Sequence, residues 1–567
     1  MNHLQRKIIP GLGVLALLWV LVGYILYPAL TTLLKSLDVG GGASGGGDVW
    51  AIGLAHYWDF FTSPTSLMVL QNTLVLGALT VVLCGVVGAG LAFLVHYFEC
   101  PYRELLDKLL LLPVIMPGII IVFAFVQLYG ESGLVTKTLE LVFGLGKAPY
   151  EFSGLGGILF VHVYTQYVYF YLTVSLAIRQ IDFSIVESAR ILGASRAKVF
   201  TSVILPCVAP ALIISAAVTF MTGIGSFAAP SIIGGGYKVL TTQILLSKAN
   251  NYMEVAAVQV VVLTVISMGF FGVLRWYEKQ RLFTGSVKGV PFQPVAIRNR
   301  ALRWLAHGLK IALVLLILLP FGTIIVLSFV DSASWMVSIY PQSFSLDNFV
   351  TIFSNHRKLQ PFVNSIEMSL LAAFLCLLVA VPSSWIIEKT RLRGKGLIEF
   401  LVVLPWAMPA SAVAINLITA NSTPNIFAFN SVLVGASVLL PLGYFIKSLP
   451  IVVEVTHISF QGLNSTLIEA SKSLGASWTT TFRRVTLPII YPGLLAGFLY
   501  AFVRSIGEYT VSAFLYNASN KPMSIAMVNA IFEYEIGLAM AYGALLIALT
   551  VCLSLLISRF SPLGKDR

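Results

Sequence analysis

Few residues in this chain carry charge in a setting where chemistry is possible, and the clearest of them occur twice. Glu187 and Arg190 lie in ESARILGASRAKVFTSVILP (187–206), and Glu469 and Lys472 lie in EASKSLGASWTTTFRRVTLP (469–488); nine of the twenty positions are identical. In both stretches a glycine follows the glutamate by six residues and a proline follows it by nineteen. A carboxylate and a cation on a short polar helix suit a charge-assisted contact with another protein better than bond-making chemistry. Other ionisable groups in apolar surroundings are Glu367, Arg504, Glu508, His96, His162 and His307. Arg504 and Glu508 are four residues apart on an expected helix and can pair in low dielectric, either as a snorkelling interfacial pair or as a gate in a pathway. There is no HExxH and no paired acids that would suit hydrolysis. The Gly-Lys pairs at Gly146, Gly394 and Gly564 precede Ala148, Gly396 and Asp566 rather than the Ser or Thr of a phosphate loop. Cys84, Cys100, Cys207, Cys376 and Cys552 are scattered, without CxxC spacing, so neither a disulfide framework nor a metal site is expected. No catalytic residue and no metal ligand is assigned.

The elements that must position these residues are membrane spans. Of 567 residues 57% are hydrophobic and 11% charged, against about 25% charged in soluble domains. Apolar runs of roughly 20 residues, long enough to cross hydrocarbon, recur throughout. Twelve spans are expected near 8–34, 68–97, 107–129, 155–178, 207–232, 254–275, 304–329, 363–387, 397–420, 428–447, 489–515 and 538–559. The first is too long for the core of a signal peptide and reads as a retained anchor. Lys and Arg concentrate in the join after the sixth span and after the eighth, and at both ends, which puts both termini in the cytoplasm. The net charge of +12 is therefore topological rather than a nucleic-acid footprint.

The chain also repeats itself. KLLLLPVIMPG (108–118) resembles EFLVVLPWAMPA (399–410), aligning Pro113 with Pro405 and Pro117 with Pro409. Pro210 pairs with Pro492, and Ile224-Gly225 with Ile506-Gly507. Both copies have the same orientation, so the reading is an all-α polytopic membrane protein built by parallel duplication. Its parts are 1–67, a helix and a Gly-rich outer loop; 68–275, the first unit; 276–303, a basic cytoplasmic linker; 304–362, an extra helix and outer loop; and 363–560, the second unit. Pro117, Gly118 and Pro409 interrupt the third and ninth spans at matched depths, where broken helices tend to line a cavity.

Each polar insert is expected to fold as helix–turn–helix. Gly193 suits the left-handed turn that ends the first helix, Ser195 caps the second, and Pro206 opens the following span; Gly475, Ser477 and Pro488 repeat this. Two inserts kept in register look like docking surfaces for a two-fold partner. The pattern Glu187-Ser188-Ala189…Gly193…Leu205-Pro206 and its second copy Glu469-Ala470-Ser471…Gly475…Leu487-Pro488 resembles the EAA loop of permease subunits in bacterial ABC importers. The resemblance extends over nearly the whole chain, as a type I importer fold with two permease units.

That resemblance implies a mechanism and partners. Two copies of a cytoplasmic ATPase, which hold the ATP and Mg, would dock at Glu187, Ala189, Gly193, Glu469, Ala470 and Gly475; this chain would bind no cofactor and hydrolyse nothing. A periplasmic binding protein would deliver the substrate to the outer face of a bacterial inner membrane. Pro117, Pro409, Arg504 and Glu508 are the candidates for pathway or gate. The fused double permease, with SFAAPSIIGG at 226–235, looks most like the ferric-iron branch, close to importers of thiamine, 2-aminoethylphosphonate and sugar phosphates. An ion-coupled secondary transporter is the rival, and it lacks a chain of intramembrane ionisable groups.

Overall fold

The computed structural model describes residues 5–37, 54–281, 290–297, 299–331 and 340–560. The Gly-rich tract 39–48, Lys288, Arg298 and the C-terminal Lys565 and Arg567 lie outside them. Among the described residues the chain is helical, with isolated bridges only and no strand.

Among the described residues ten helices are long and apolar enough to cross a membrane, and Lys395–Ala407 with Ala410–Asn421 makes a pair bent by 114° that has the length and composition of one broken span or a re-entrant loop. A further helix, Gly154–Arg179, is 26 residues long. It carries His162, Tyr164, Gln166, Tyr167, Tyr169 and Tyr171, so its length fits a span while its polarity is that of a helix facing protein. In the first unit Pro64–Ala92, Gly154–Arg179 and Leu205–Ile224 pack together, and in the second His356–Lys389, Leu439–Gln461 and Leu487–Ile506 make the matching triad. Glycine permits the close approaches: a Cβ on Gly88 would lie 2.3 Å from the Tyr167 carbonyl oxygen.

Three expected spans are placed differently. The tenth, expected at 428–447, is the helix Leu439–Gln461. The residues before it form an irregular loop, with Phe429, Asn430 and Gly435 in left-handed conformations. This loop is apolar and uncharged, so composition alone drew the span too early. The fifth and eleventh, expected through 232 and 515, stop at the C-caps Gly225 and Gly507, and each is followed by a short separate helix, Ala228–Ile233 and Thr510–Leu515. Runs of hydrophobic residues on both sides of a turn look continuous in sequence.

The two additional helices each bridge the units, Tyr27–Ser36 also packing on Met253–Arg281 and Arg300–Ser328 also packing on Ile536–Phe560. Tyr27–Ser36, at the end of the first span, packs on Ala410–Asn421 of the second unit, and Arg300–Ser328 packs on Gly118–Tyr129 of the first. Tyr24 donates to the Phe427 carbonyl at 3.0 Å, and Tyr164 donates to that of Ile317 at 2.7 Å. Trp19 and Tyr27 enclose the Phe427 ring at centroid distances of 4.7 and 5.1 Å.

Candidate functional site

The repeated polar inserts fold alike, residue for residue. Asp182 caps Phe183–Ile191 by accepting from the Ser184 amide at 3.0 Å, and Asn464 caps Ser465–Ser473 by accepting from Thr466 at 3.0 Å. Both helices end on a left-handed glycine, Gly193 at φ +82° and Gly475 at φ +79°. The Ala194 amide reaches the Ala189 carbonyl at 3.0 Å and the Gly193 amide that of Arg190 at 3.0 Å; Ala476–Ser471 and Gly475–Lys472 repeat these at 3.1 and 2.9 Å. These are the paired bonds of a Schellman turn, which satisfy carbonyls a helix end would leave open.

After the turn, Ser195 accepts from the Lys198 amide at 3.3 Å and Ser477 from the Thr480 amide at 3.2 Å. The second helix of each insert, expected to be short and rigidly joined to the span after it, is the start of that span: Arg196–Ile224 and Trp478–Ile506 each run as one continuous helix of 29 residues. A π-helical turn lies at the same place in each, Phe200–Ile204 and Phe482–Thr486, directly before Leu205-Pro206 and Leu487-Pro488. An extra residue in the turn relieves the backbone where Pro206 and Pro488 contribute no N–H. The insert is thus rigidly continuous with a membrane helix.

Glu187, Arg190, Glu469, Ala470 and Lys472 are exposed, while Ala189 is half-buried. At the tip of each turn stands a leucine, Leu192 at 87% exposure and Leu474 at 88%. Sequence reasoning missed these two, although both stand directly before the turn glycine in the matched stretches. A fully exposed leucine beside a charged helix has the form of an interface anchor.

The two inserts differ in what holds them from below. Linker residues after 289 run against the first one. The Phe183 amide donates to the Val290 carbonyl at 3.0 Å, and the Val290 amide donates to the Asp182 carboxylate at 3.1 Å. Hydrogen bonds from Ser184 and Val290 hold the Asp182 carboxyl below its ordinary range. Phe292 stands between Tyr97 and Phe183, at ring distances of 5.6 and 6.0 Å, and Val295 pairs with Tyr97 and Glu99 through backbone bonds of 2.8 and 3.2 Å. Phe183 and Val186 are fully buried, whereas Ser465–Ser473 has no fully buried residue: Ile468 packs partly buried on Phe460, Leu463, Ile490 and Leu494, and the Ser471 and Thr481 hydroxyls lie 2.9 Å apart.

Deeper in the bundle, the matched prolines and glycines meet across the two units. Pro117 and Pro409 precede Gly118–Tyr129 and Ala410–Asn421 with extended ψ of 130° and 151°. A Cβ on Gly507 would lie 2.4 Å from Pro117 Cγ, and one on Gly225 would lie 3.6 Å from Pro409 Cβ. Each broken helix therefore touches the end of the other unit's span.

Arg504 and Glu508 make no ion pair within 4.0 Å among the described residues. Arg504 lies in the last turn of its helix and Glu508 beyond the C-cap, so helical i,i+4 spacing does not join them. The Glu508 carboxylate instead accepts from the Val511 amide at 3.1 Å, opening the helix Thr510–Leu515. Lys447, which the expected tenth span placed at the membrane edge, is inside Leu439–Gln461 and donates to the Met408 and Pro405 carbonyls at 2.9 and 3.4 Å. It caps the broken end of Lys395–Ala407.

The remaining ionisable groups have structural partners or face outward. His96 is buried 2.9 Å from Asp107, which also pairs with Arg179 at 2.9 Å and accepts from Tyr171. His162 contacts Thr80 at 2.8 Å, Glu367 is exposed, and His307 neighbours Trp304. Among the described residues no group of three His, Cys, Asp or Glu could hold a metal ion.

Comparison with known proteins agrees with the duplicated architecture. The family model "Binding-protein-dependent transport system inner membrane component" matches twice, over residues 82–280 and 359–563. A probable ABC transporter permease protein, y4fN of Sinorhizobium fredii, is 30% identical over 98% of this chain and 96% of its own length. The ferric transport system permease protein FbpB of Actinobacillus pleuropneumoniae is 24% identical over 86% of this chain and 70% of its own. A probable sulfate transport system permease protein, cysT of Chlorella vulgaris, is 28% identical over 35% of this chain and 78% of its own. With two permease units in one polypeptide and an EAA loop in each, the chain belongs to the family of inner-membrane permeases of binding-protein-dependent ABC importers.

Proposed function

We propose that each EAA loop seats one ATPase subunit, and that the chain passes a substrate delivered by a periplasmic binding protein to the cytoplasm. The observation that carries this reading is the matched pair of loops: the same cap, the same left-handed glycine, the same exposed Glu and Leu, and the same continuous helix into the membrane. A movement imposed on either loop is carried along 29 residues of helix, about 40 Å at 1.5 Å per residue. ATP and Mg belong to the docked subunits. The basic, loop-bearing side faces the cytoplasm, together with both termini.

The cargo we propose is ferric iron. Its support is the ferric permease relative, which aligns with most of the chain, whereas the sulfate relative aligns with about a third. Thiamine, 2-aminoethylphosphonate and sugar phosphates would use the same machinery. The test is uptake and ATP hydrolysis in vesicles holding the permease, its ATPase and its binding protein. Replacing Glu187 and Glu469 together by Ala should abolish ATPase retention and uptake while the permease remains inserted. Normal retention and uptake in that variant would reject the docking role.

A further inference from the structure

The interior of the second unit carries charge that the first does not. The Ser448 and Ser505 hydroxyls, 3.4 Å apart, set their neighbours Lys447 and Arg504 on facing helices, and Tyr500, Glu508 and Tyr169 are near enough to Arg504 to act on its charge. Its side chain is exposed. A guanidinium is costly against hydrocarbon, so an exposed one on a spanning helix is expected to face an aqueous opening rather than lipid. Lys447, half-buried, lies within electrostatic range of Arg504 and of Glu508. Tyr169 comes from Gly154–Arg179 of the first unit and Arg504 from Leu487–Ile506 of the second, so Arg504 is turned towards the first unit. At the positions matching Lys447 and Arg504 the first unit has Thr165 and Thr222, and Thr222 donates to Gln166 at 2.7 Å.

The local charge balance is positive. Glu508 is near enough to act on both cations, and one of its oxygens is engaged by the Val511 amide. Lys447 has one short bond, to the Met408 carbonyl at 2.9 Å, and a longer one to Pro405 at 3.4 Å, while an ammonium has three donors. Both cations adjoin the layer where the units touch. Gly507, three residues after Arg504, meets Pro117, and Lys447 holds the helix end that leads into Pro409. A permanent guanidinium in such an opening repels a bare cation and attracts oxyanions.

We propose that Arg504 and Lys447 form an anion-binding station in the translocation pathway, so that the cargo crosses as an anion or within an anionic complex. This rests on reading the chain as a permease, and it fits ferric iron carried in a carboxylate chelate but not as a bare ion. Carboxylate, phosphate and sulfate share the recognised chemistry, a pair of oxygens facing a guanidinium and an ammonium.

The test is thermal unfolding of the purified full-length permease against sodium citrate, ferric citrate, phosphate and sulfate, at ionic strength fixed with choline chloride to screen non-specific effects. Wild type should be stabilised saturably by at least one of the four, and which one distinguishes a chelate from a free oxyanion. In Arg504→Gln and Lys447→Gln the half-saturating concentration should rise about tenfold or more, and Arg504→Lys should recover part of it. Lys447→Gln keeps a donor for Met408 and so carries the test if Arg504→Gln does not fold. No saturable stabilisation of wild type, or unchanged half-saturation in the two charge-removing variants, overturns the proposal. Because no ATPase is involved, failure here leaves the docking reading standing.

Discussion

At the scale of single residues, glycine decides the most. Gly193 at φ +82° has open space around its missing Cβ, so the cost of a side chain is conformational rather than steric. Val there should cost about 1–2 kcal/mol or more and re-aim the loop. Gly193→Val should therefore reduce ATPase-coupled uptake at least as severely as Glu187→Ala, measured in the same vesicles; unchanged uptake would remove the turn from the mechanism. At Gly507 the limit is space, since a Cβ would stand 2.4 Å from Pro117 Cγ, while at Gly225 the nearest atom is the Met221 carbonyl oxygen at 3.1 Å. Gly507→Ala should destabilise the folded protein by roughly 1–3 kcal/mol and Gly225→Ala by less. Thermal unfolding in detergent compares them, and equal melting would show that the contact yields freely. The Glu-to-Gly spacing was legible in the sequence because it recurs in both units. Leu192 and Leu474 recur in the same way, but in a chain that is 57% hydrophobic a repeated leucine reads as core, and only their exposure sets them apart.

At the scale of elements, the two loops are alike in backbone and unlike in support. Phe292 and Val290 hold the first from below, and Ser471 with Thr481 ties the second to itself. Phe292→Ala should therefore loosen only the first loop. Hydrogen exchange should rise several-fold at 183–199 and stay constant at 465–481; equal change in both would contradict a local brace. The Asp182 carboxyl is depressed by the amides it accepts from, so its contribution is present above the ordinary carboxylate range and is lost as pH falls through its lowered value. The brace should accordingly be indifferent to pH between 6 and 8 (a range above the usual carboxylate pKa of about 4). Broken helices were foreseeable from Pro117 and Pro409, since a proline cannot continue the hydrogen-bond ladder. The tenth span was misplaced because the loop ahead of Leu439 is as apolar as a span, and only the left-handed Phe429, Asn430 and Gly435 reveal the break. That shift hid Lys447, which looked interfacial and is interior. Cysteines at the buried, matched Met116 and Met408 should react with a water-borne thiol reagent more in one nucleotide state than in the other. Equal labelling with and without trapped nucleotide would take this layer out of the pathway.

At the scale of the whole molecule, one chain does what a symmetric pair of permeases would otherwise do. The bridging helices tie the units: Tyr24 reaches Phe427, and Tyr164 reaches Ile317. Such bridging was not legible in the sequence, because an amphipathic pattern states which face is apolar and not which neighbour covers it. Duplication also lets the two sides diverge, as Thr165 and Thr222 have from Lys447 and Arg504. On the proposed function both docking loops reside on this single polypeptide, which would fix the composition of the assembly. Native mass spectrometry of the complex purified with its ATPase measures that directly. The account predicts one copy of this chain with two ATPase subunits; a complex with two copies of this chain, or with a single ATPase subunit at saturation, would contradict it.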